Sequence, residues 1–585
     1  MPSGEDFRRF LSVEIAGGAS WHPIDDRIVF VHDNPGVNQV YSTDIEEGRA
    51  LWPERLVFEE DRCTSPRYLS DGSIIYTRDR GGDENFQIGR IEKSGKSTWI
   101  SDDLKAKHRI TFSNELGLFY IANREDKSRL DVYLHRMPLE HNEPELLIRP
   151  DEGIMTTQAV SPNNKLAIIS RLFGNVNQEL MLFDLESKEL KSITGNLANK
   201  PTRWETVRFI EENLLLVMTD HESDFKRLAF VSLNGEFKTI PQIEENCTAE
   251  VEHATFSSDD VFTYYSINEE GYSRVFRGIF NSEGIENHGE IRLPLKGVLV
   301  SGDQRSFTEC LSLSPDGSKL ALTISTPTEN TNIWIVNTGT LNSWRATYAS
   351  MSGLPPSRFS DAALDRFHSF DELSVPYFSY LPKGEMPTAG WPAIMMIHGG
   401  PEAQMRPTFN PVIQFFVSAG YAVITPNIRG SDGYGKTYID LDNVEKRLDS
   451  ILDIKHLYLH LKENNPKIDS DRFVIYGGSY GGFAVLSAIT EHPELWKAAV
   501  DIVGISDFVT FLQNTAAWRR GLRESEYGSL EHDRDTLIKI SPIHKVDNIQ
   551  CPLFIIQGDN DERVPLSEST QIYESVKNRG IPVEL

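Results

Sequence analysis

Ser479 lies in Gly477-Gly478-Ser479-Tyr480-Gly481, after the apolar run Phe473-Val474-Ile475-Tyr476 and ahead of a small-residue helical pattern. G-x-S-x-G between a strand and a helix is the spacing of a nucleophile elbow, in which glycines permit a strained turn that lifts the serine hydroxyl clear of a sheet. A serine that attacks a carbonyl needs N–H donors for the oxyanion. The backbone N–H of Tyr480 is one. A second is expected from His398-Gly399-Gly400-Pro401, where glycine lets bare backbone approach the substrate. His398 is read as part of that loop's architecture and not as the base. The acid that would orient an imidazole should follow the serine, and "FIIQGDNDERVP" offers Asp559, Asp561 and Glu562. "RGSDGYGKTY" (429–438) is a P-loop only superficially, because its glycine spacing is wrong; it reads as a loop near the active-site mouth.

The elements that must carry these residues change period along the chain. Up to about residue 340, short β-branched or aromatic strands such as "DRIVFVHD", "KLAIISRL" and "KLALTIS" each follow a polar turn. The turns recur at Asp25, Asp71, Asn114, Asn163, Glu212, Asp259 and Asp316, 43 to 57 residues apart. Seven units of that length predict a seven-bladed β-propeller of four-stranded blades, closed radially because no blade buries both faces alone. No Trp-Asp dipeptide occurs, so this is not the WD40 type. After the connector "MSGLPPSRFSDAAL" (351–364), strands alternate with helical patterns near 409–419, 442–464 and 567–579. That alternation predicts an α/β-hydrolase-type layered domain, a mostly parallel sheet with functional loops at its carboxyl edge. The expected organisation is an N-terminal extension (1–16), the propeller (17–345) and the α/β-hydrolase domain (346–585).

Composition narrows the setting. A balance of 59 basic to 86 acidic residues gives a net charge of −27, which disfavours nucleic acid and anionic membranes as partners. No apolar run reaches the roughly 18 residues of a membrane span, and the N-terminus lacks a secretory pattern. Cys63, Cys247, Cys310 and Cys551 lie far apart, as in a cytoplasmic protein with reduced thiols. No metal cluster, nucleotide loop or cofactor motif is present, so no cofactor is expected. Homo-oligomerisation is left open.

A seven-bladed propeller followed by HGGP, GGSYGG and GDNDxRVP resembles the prolyl oligopeptidase family of serine peptidases, in its acylaminoacyl-peptidase-like branch. The resemblance spans nearly the whole chain. It implies Ser479 as nucleophile, Asp561 as the triad aspartate, and the N–H groups of Gly400 and Tyr480 as oxyanion donors. It also implies Arg563 as a contact to a peptide carbonyl, and Phe508, Phe511, Leu512 and Trp518 as a specificity wall; for these aromatics ordinary helix packing is the competing reading. The implied function is cleavage of short peptides through an acyl-enzyme, with the propeller restricting access. Acylaminoacyl-, dipeptidyl- and oligopeptidase activity are not distinguished, and the glutamate pairs Glu211-Glu212 and Glu244-Glu245 read as solvated turn charges. A carboxylesterase or a non-catalytic propeller scaffold are the alternatives.

One feature departs from the family pattern: no histidine follows Asp561, the last of the 15 being His544. The expectations are that the hydrolase domain is cut short at its last strands, that a non-catalytic relative is at hand, or that His544 or His492 substitutes. Without a base a serine is a poor nucleophile, so the 585 residues are expected to hydrolyse peptides slowly or not at all.

Overall fold

The computed structural model describes residues 4–101, 103–197, 201–240, 248–257, 261–281, 284–301 and 310–585. Glu244-Glu245, Cys247 and the Asp259 turn therefore lie outside the described residues. The chain divides into two compact units, one of residues 12–352 and one of residues 1–11 with 353–585.

The first unit is a seven-bladed propeller. Antiparallel sheets occupy residues 16–55, 63–99, 108–148, 154–192, 204–239, 250–291 and 298–345. Each described landmark turn joins the first two strands of its blade, except that in the last blade Asp316 joins the short strand Leu311–Leu313 to Lys319–Ser325. Asp71, Asn114, Asn163 and Asp316 turn the chain by accepting backbone N–H groups two residues on. The ring closes between the first and last blades. Gly18 N donates to Thr323 Oγ1 and the Trp21 indole to Ser312 O. Ala16, Phe30, Ile333, Ile335 and Trp344 share one core there. Cys63 is a buried free thiol, and burial pushes it up to about 12.

The second unit is built on one sheet of eight strands. These are β1 (Ala363–His368), β2 (Ser374–Tyr380), β3 (Trp391–Ile397), β4 (Ala422–Pro426), β5 (Ile468–Gly478), β6 (Ala498–Ile502), β7 (Leu553–Ile556) and β8 (Val583–Glu584). The spatial order is β1-β2-β4-β3-β5-β6-β7-β8. The β1–β2 and β2–β4 pairs are antiparallel and the others parallel. Of the helices, α1 (Gly4–Leu11) precedes the propeller. α2 (Pro411–Ser418), α3 (Asp449–Asn464), α4 (Tyr480–Glu491), α5 (Phe508–Asn514), α6 (Ala517–Tyr527), α7 (Arg534–Ile540) and α8 (Leu566–Asn578) follow β3 in chain order. Short parallel strands rich in Val, Ile and Met are buried within one large core.

The N-terminal segment is part of this unit. Phe7 and Phe10, one turn apart on α1, pack on Phe415 of α2 at ring-centroid distances of 4.6 and 5.7 Å. Burying Phe10 alone contributes about 2 kcal/mol. The pattern near 442–464 forms a helix only from Asp449. Residues 440–446 make short 3₁₀ turns, because the side chains of Asp442 and Arg447 turn inward and are buried. Among the described residues no helix is long and apolar enough to cross a membrane.

Candidate active site

Strand β5 runs through Gly478 and the chain reverses at Ser479, whose φ of 58° and ψ of −120° lie in the left-handed half of the map. A non-glycine residue held there costs on the order of 1 kcal/mol or more. The Ser479 N–H donates to Ile502 O on β6 at 2.8 Å, which pins the strained residue to the sheet. Two motif glycines are demanded by close approach. A Cβ on Gly477 would lie 2.3 Å from Gly481 O, and one on Gly481 would lie 2.3 Å from Ile397 O at the end of β3. Gly478 has ordinary space around it, so G-x-S-x-G is the constrained pattern and the extra glycine is not.

Tyr480 is the first residue of α4, so its N–H has no partner within the helix and sits at the positive end of the helix dipole. The HGGP loop lies against the elbow: a Cβ on Gly399 would be 3.4 Å from Ser479 Cβ and 4.0 Å from Ser479 Oγ. His398 is buried in that loop, with Nε2 2.8 Å from Ser431 Oγ and Nδ1 2.7 Å from Gly399 O. Both ring nitrogens are engaged, and burial keeps the imidazole below its usual pKa. Ser431 Oγ donates to Ile428 O at 2.6 Å, and Arg429 in the same loop pairs with buried Asp453 and with Asp371.

Of the three acidic candidates, Asp559 and Glu562 are exposed and Asp561 is half-buried. Asp561 Oδ1 accepts the N–H groups of Arg563 at 2.8 Å and Val564 at 3.0 Å, so its loop fixes the carboxylate. Arg563 is half-buried beside it. Phe508, Phe511 and Leu512 are at most 2% exposed. They pack on Phe483 and Tyr527, with Phe508 4.9 and 4.7 Å from those rings. They therefore sit behind the surface of the site. Trp518 on α6 is half-buried.

Among the described residues, no histidine hydrogen-bonds Ser479 or Asp561. His492 caps the far end of α4, about 18 Å along that 12-residue helix from the elbow. His544 is half-exposed, with Nε2 3.8 Å from Asp507 Oδ2.

Two groups of residues were not anticipated. The Tyr480 hydroxyl donates to Asp442 Oδ2 at 2.8 Å and lies 2.9 Å from Ser450 Oγ. Arg447 bridges Asp442 and Glu526, and its guanidinium lies over the rings of Tyr480 and Tyr527. All of these side chains are buried, so an ion-pair network underlies Tyr480, with Asp442 Oδ1 and Arg447 Nε left without a hydrogen-bond partner. In sequence Asp442, Arg447 and Glu526 carry no mark of their convergence, which concealed it. The second is Asp501, fully buried on β6 opposite Gly477, with neither carboxylate oxygen hydrogen-bonded. Among the described residues no cluster could hold a metal ion.

Strand order, the Ser479 elbow, the HGGP loop against it and the acidic loop after β7 together define an α/β-hydrolase fold, joined in one chain to a seven-bladed propeller. Residues 407–585 match the prolyl oligopeptidase family profile, and the chain carries a peptidase domain of that family. Its relatives include dipeptidyl aminopeptidase BIII of Pseudoxanthomonas mexicana, 34% identical over 200 residues, 33% of this chain and 28% of that protein. The acylamino-acid-releasing enzyme of Homo sapiens is 26% identical over 211 residues, 33% of this chain and 27% of that protein. The aligned region thus spans little more than a quarter of those relatives. A solved prolyl endopeptidase structure covers 99% of this chain and 86% of its own at a TM-score of 0.82 and 19% identity, which is a likeness of fold.

Proposed function

We propose that the unit of residues 353–585 is a serine peptidase that cleaves short peptides through an acyl-enzyme on Ser479. The Tyr480 and Gly400 N–H groups take the oxyanion, and Asp561 orients an imidazole. The observation that carries this reading is the Ser479 elbow: a strained serine at the start of α4, with the HGGP loop against it. Such a constellation forms before substrate arrives, so the donors need no reorganisation during reaction. Arg563, next to Asp561, is placed to meet a peptide carbonyl. The chain's likeness to both dipeptidyl and acylamino-acid-releasing enzymes supports peptide substrates without choosing a free or a blocked N-terminus.

Among the described residues no imidazole reaches this pair, and loss of the histidine of such a relay costs about 10⁶-fold in kcat. The test is release of p-nitroaniline from N-acetyl-aminoacyl p-nitroanilides by the chain and by Ser479→Ala, with and without free imidazole. Slow, Ser479-dependent release that imidazole accelerates is expected. Release that is equal in Ser479→Ala under both conditions defeats the reading. The same absence of an imidazole favours one second reading, a binding scaffold. Stoichiometric capture of a protein partner that Ser479→Ala leaves unchanged, with no turnover, would support it.

A further inference from the structure

Helix α6 is stitched at both ends to the catalytic loops. At its start, Thr515 Oγ1 donates to Arg563 O at 3.0 Å and Ala516 N to Glu562 O at 3.2 Å, on the loop that carries Asp561. At its end, the Tyr527 hydroxyl donates to Gly400 O at 3.4 Å. The face between those anchors holds Arg519, Arg523 and Tyr527, each four residues from the next and so in one row along the helix. The row therefore spans from the aspartate loop to the oxyanion loop.

The two guanidiniums are under-used. Arg519 Nη1 and Arg523 Nε are buried with no hydrogen-bond partner. Among the described residues, no carboxylate forms an ion pair with Arg519. Burial, with Arg523 and Arg563 adding their charge, pushes Arg519 down to about 10, while Asp561 and Tyr527 pull the other way. Burial lowers Arg523, but Tyr527, Glu402 and Glu526 facing it hold it above its ordinary value, and the Glu526 carboxylate is shared with Arg447. Holding two guanidiniums in one row largely out of water, one with no carboxylate partner and both with a donor unmet, is costly unless an anion arrives. A planar guanidinium fork recognises a carboxylate in particular.

We propose that Arg519 and Arg523 form an anion-recognising wall of the substrate site, which takes a carboxylate of the peptide. The inference rests on the reading of this site as peptide-binding. That carboxylate is either an acidic side chain or a free C-terminus, and the two sources are separable.

The test is calorimetric titration of the full chain carrying Ser479→Ala, which removes turnover, with acetyl-Ala-Glu-amide, acetyl-Ala-Gln-amide and acetyl-Ala-Gln acid. At least one of the two anionic peptides should bind roughly tenfold or more tightly than the neutral amide. High salt should erode that preference, and Arg519→Gln or Arg523→Gln should abolish it. Preference for the Glu amide assigns the site to a side chain, and preference for the free acid assigns it to a C-terminus. Equal binding of all three peptides overturns the inference while leaving a peptide site intact. So does a preference that survives both arginine substitutions. If none of the three binds, the peptide-binding reading falls and the inference with it. The comparison of three ligands on one protein decides the matter even if an arginine variant fails to fold.

Discussion

Asp501 offers a quantitative check on how the elbow is built. It lies on β6 in register with Gly477, and its Oδ1 is close enough to Gly482 and Gly504 that a Cβ on either would come within 2.4 and 2.2 Å of it. Burial pushes its carboxyl from the ordinary 3.8 up to about 7, and the Gly504 N–H beside it opposes this without reaching hydrogen-bond geometry. A raised acid is protonated in the folded state and ionised on unfolding between those two values. Its contribution to stability is therefore full below about pH 4 and is lost as pH rises through about 7. The displacement corresponds to about 4 kcal/mol as an upper bound, and relaxation around the ionised group should leave about 2 kcal/mol. Asp501→Asn removes the titration while keeping the shape. Its amide costs a pH-independent 1–3 kcal/mol or so for an unpaired donor. Denaturant unfolding of the 353–585 unit within the full chain, at several pH values from 4 to 8.5, separates the two effects. The variant should gain on the parent by about 2 kcal/mol across that range, with the gain complete near pH 8. A difference between the two proteins that stays constant with pH would refute the reasoning.

Two further substitutions test the site's supports. Gly481→Ala drives a Cβ into the carbonyl of Ile397, so the start of α4 must shift from β3; a loss of about 1–3 kcal/mol in denaturant unfolding is expected, together with loss of Ser479-dependent turnover. Arg447→Met leaves Asp442 and Glu526 buried without their ion-pair partner, which should cost about 3–5 kcal/mol at pH 8 and less at pH 5, where Asp442, pushed up to about 7 by burial, is protonated; equal losses at both pH values would show that packing, not charge, holds the network.

The fold was largely legible because its signals are local. The propeller's period came from polar turns, and at Asp71, Asn114, Asn163 and Asp316 the side chain that marks the turn also closes it. The long last interval, from Asp259 to Asp316, reflects a seventh blade whose inner edge is two short strands, Val298–Leu299 and Leu311–Leu313, laid along one neighbour. What the sequence hid depends on contacts between distant segments. Phe7 and Phe10 announce an amphipathic turn but not that it packs on α2. Asp442, Arg447 and Glu526 are individually ordinary charges, and only their convergence under Tyr480 gives them a role. The aromatic run from Phe508 carries equal signals for a pocket and a core, and burial placed Phe508, Phe511 and Leu512 in the core. Arg519, Arg523 and Tyr527 did leave a trace, a four-residue spacing, whose meaning required knowing what anchors the two ends of α6.

These supports are unevenly distributed around Ser479. On the oxyanion side, the elbow is pinned to Ile502, Tyr480 is seated on an ion-pair network, and Gly400 is tied to α6 through Tyr527. On the other side, Asp561 is held by two backbone amides, and among the described residues no imidazole hydrogen-bonds it or Ser479. The two sides do different work. Oxyanion donors stabilise developing charge by roughly 3–4 kcal/mol each and act without a proton carrier, whereas the imidazole sets the fraction of serine able to attack. A serine hydrolase stripped of its triad retains on the order of 10³–10⁴-fold acceleration over water from the oxyanion hole and binding alone. The 585 residues should therefore be slow without being inert. A low rate would not count against Ser479 as the nucleophile. Only a rate indifferent to Ser479, or one indifferent to shifting the HGGP loop and α4 apart, would do so.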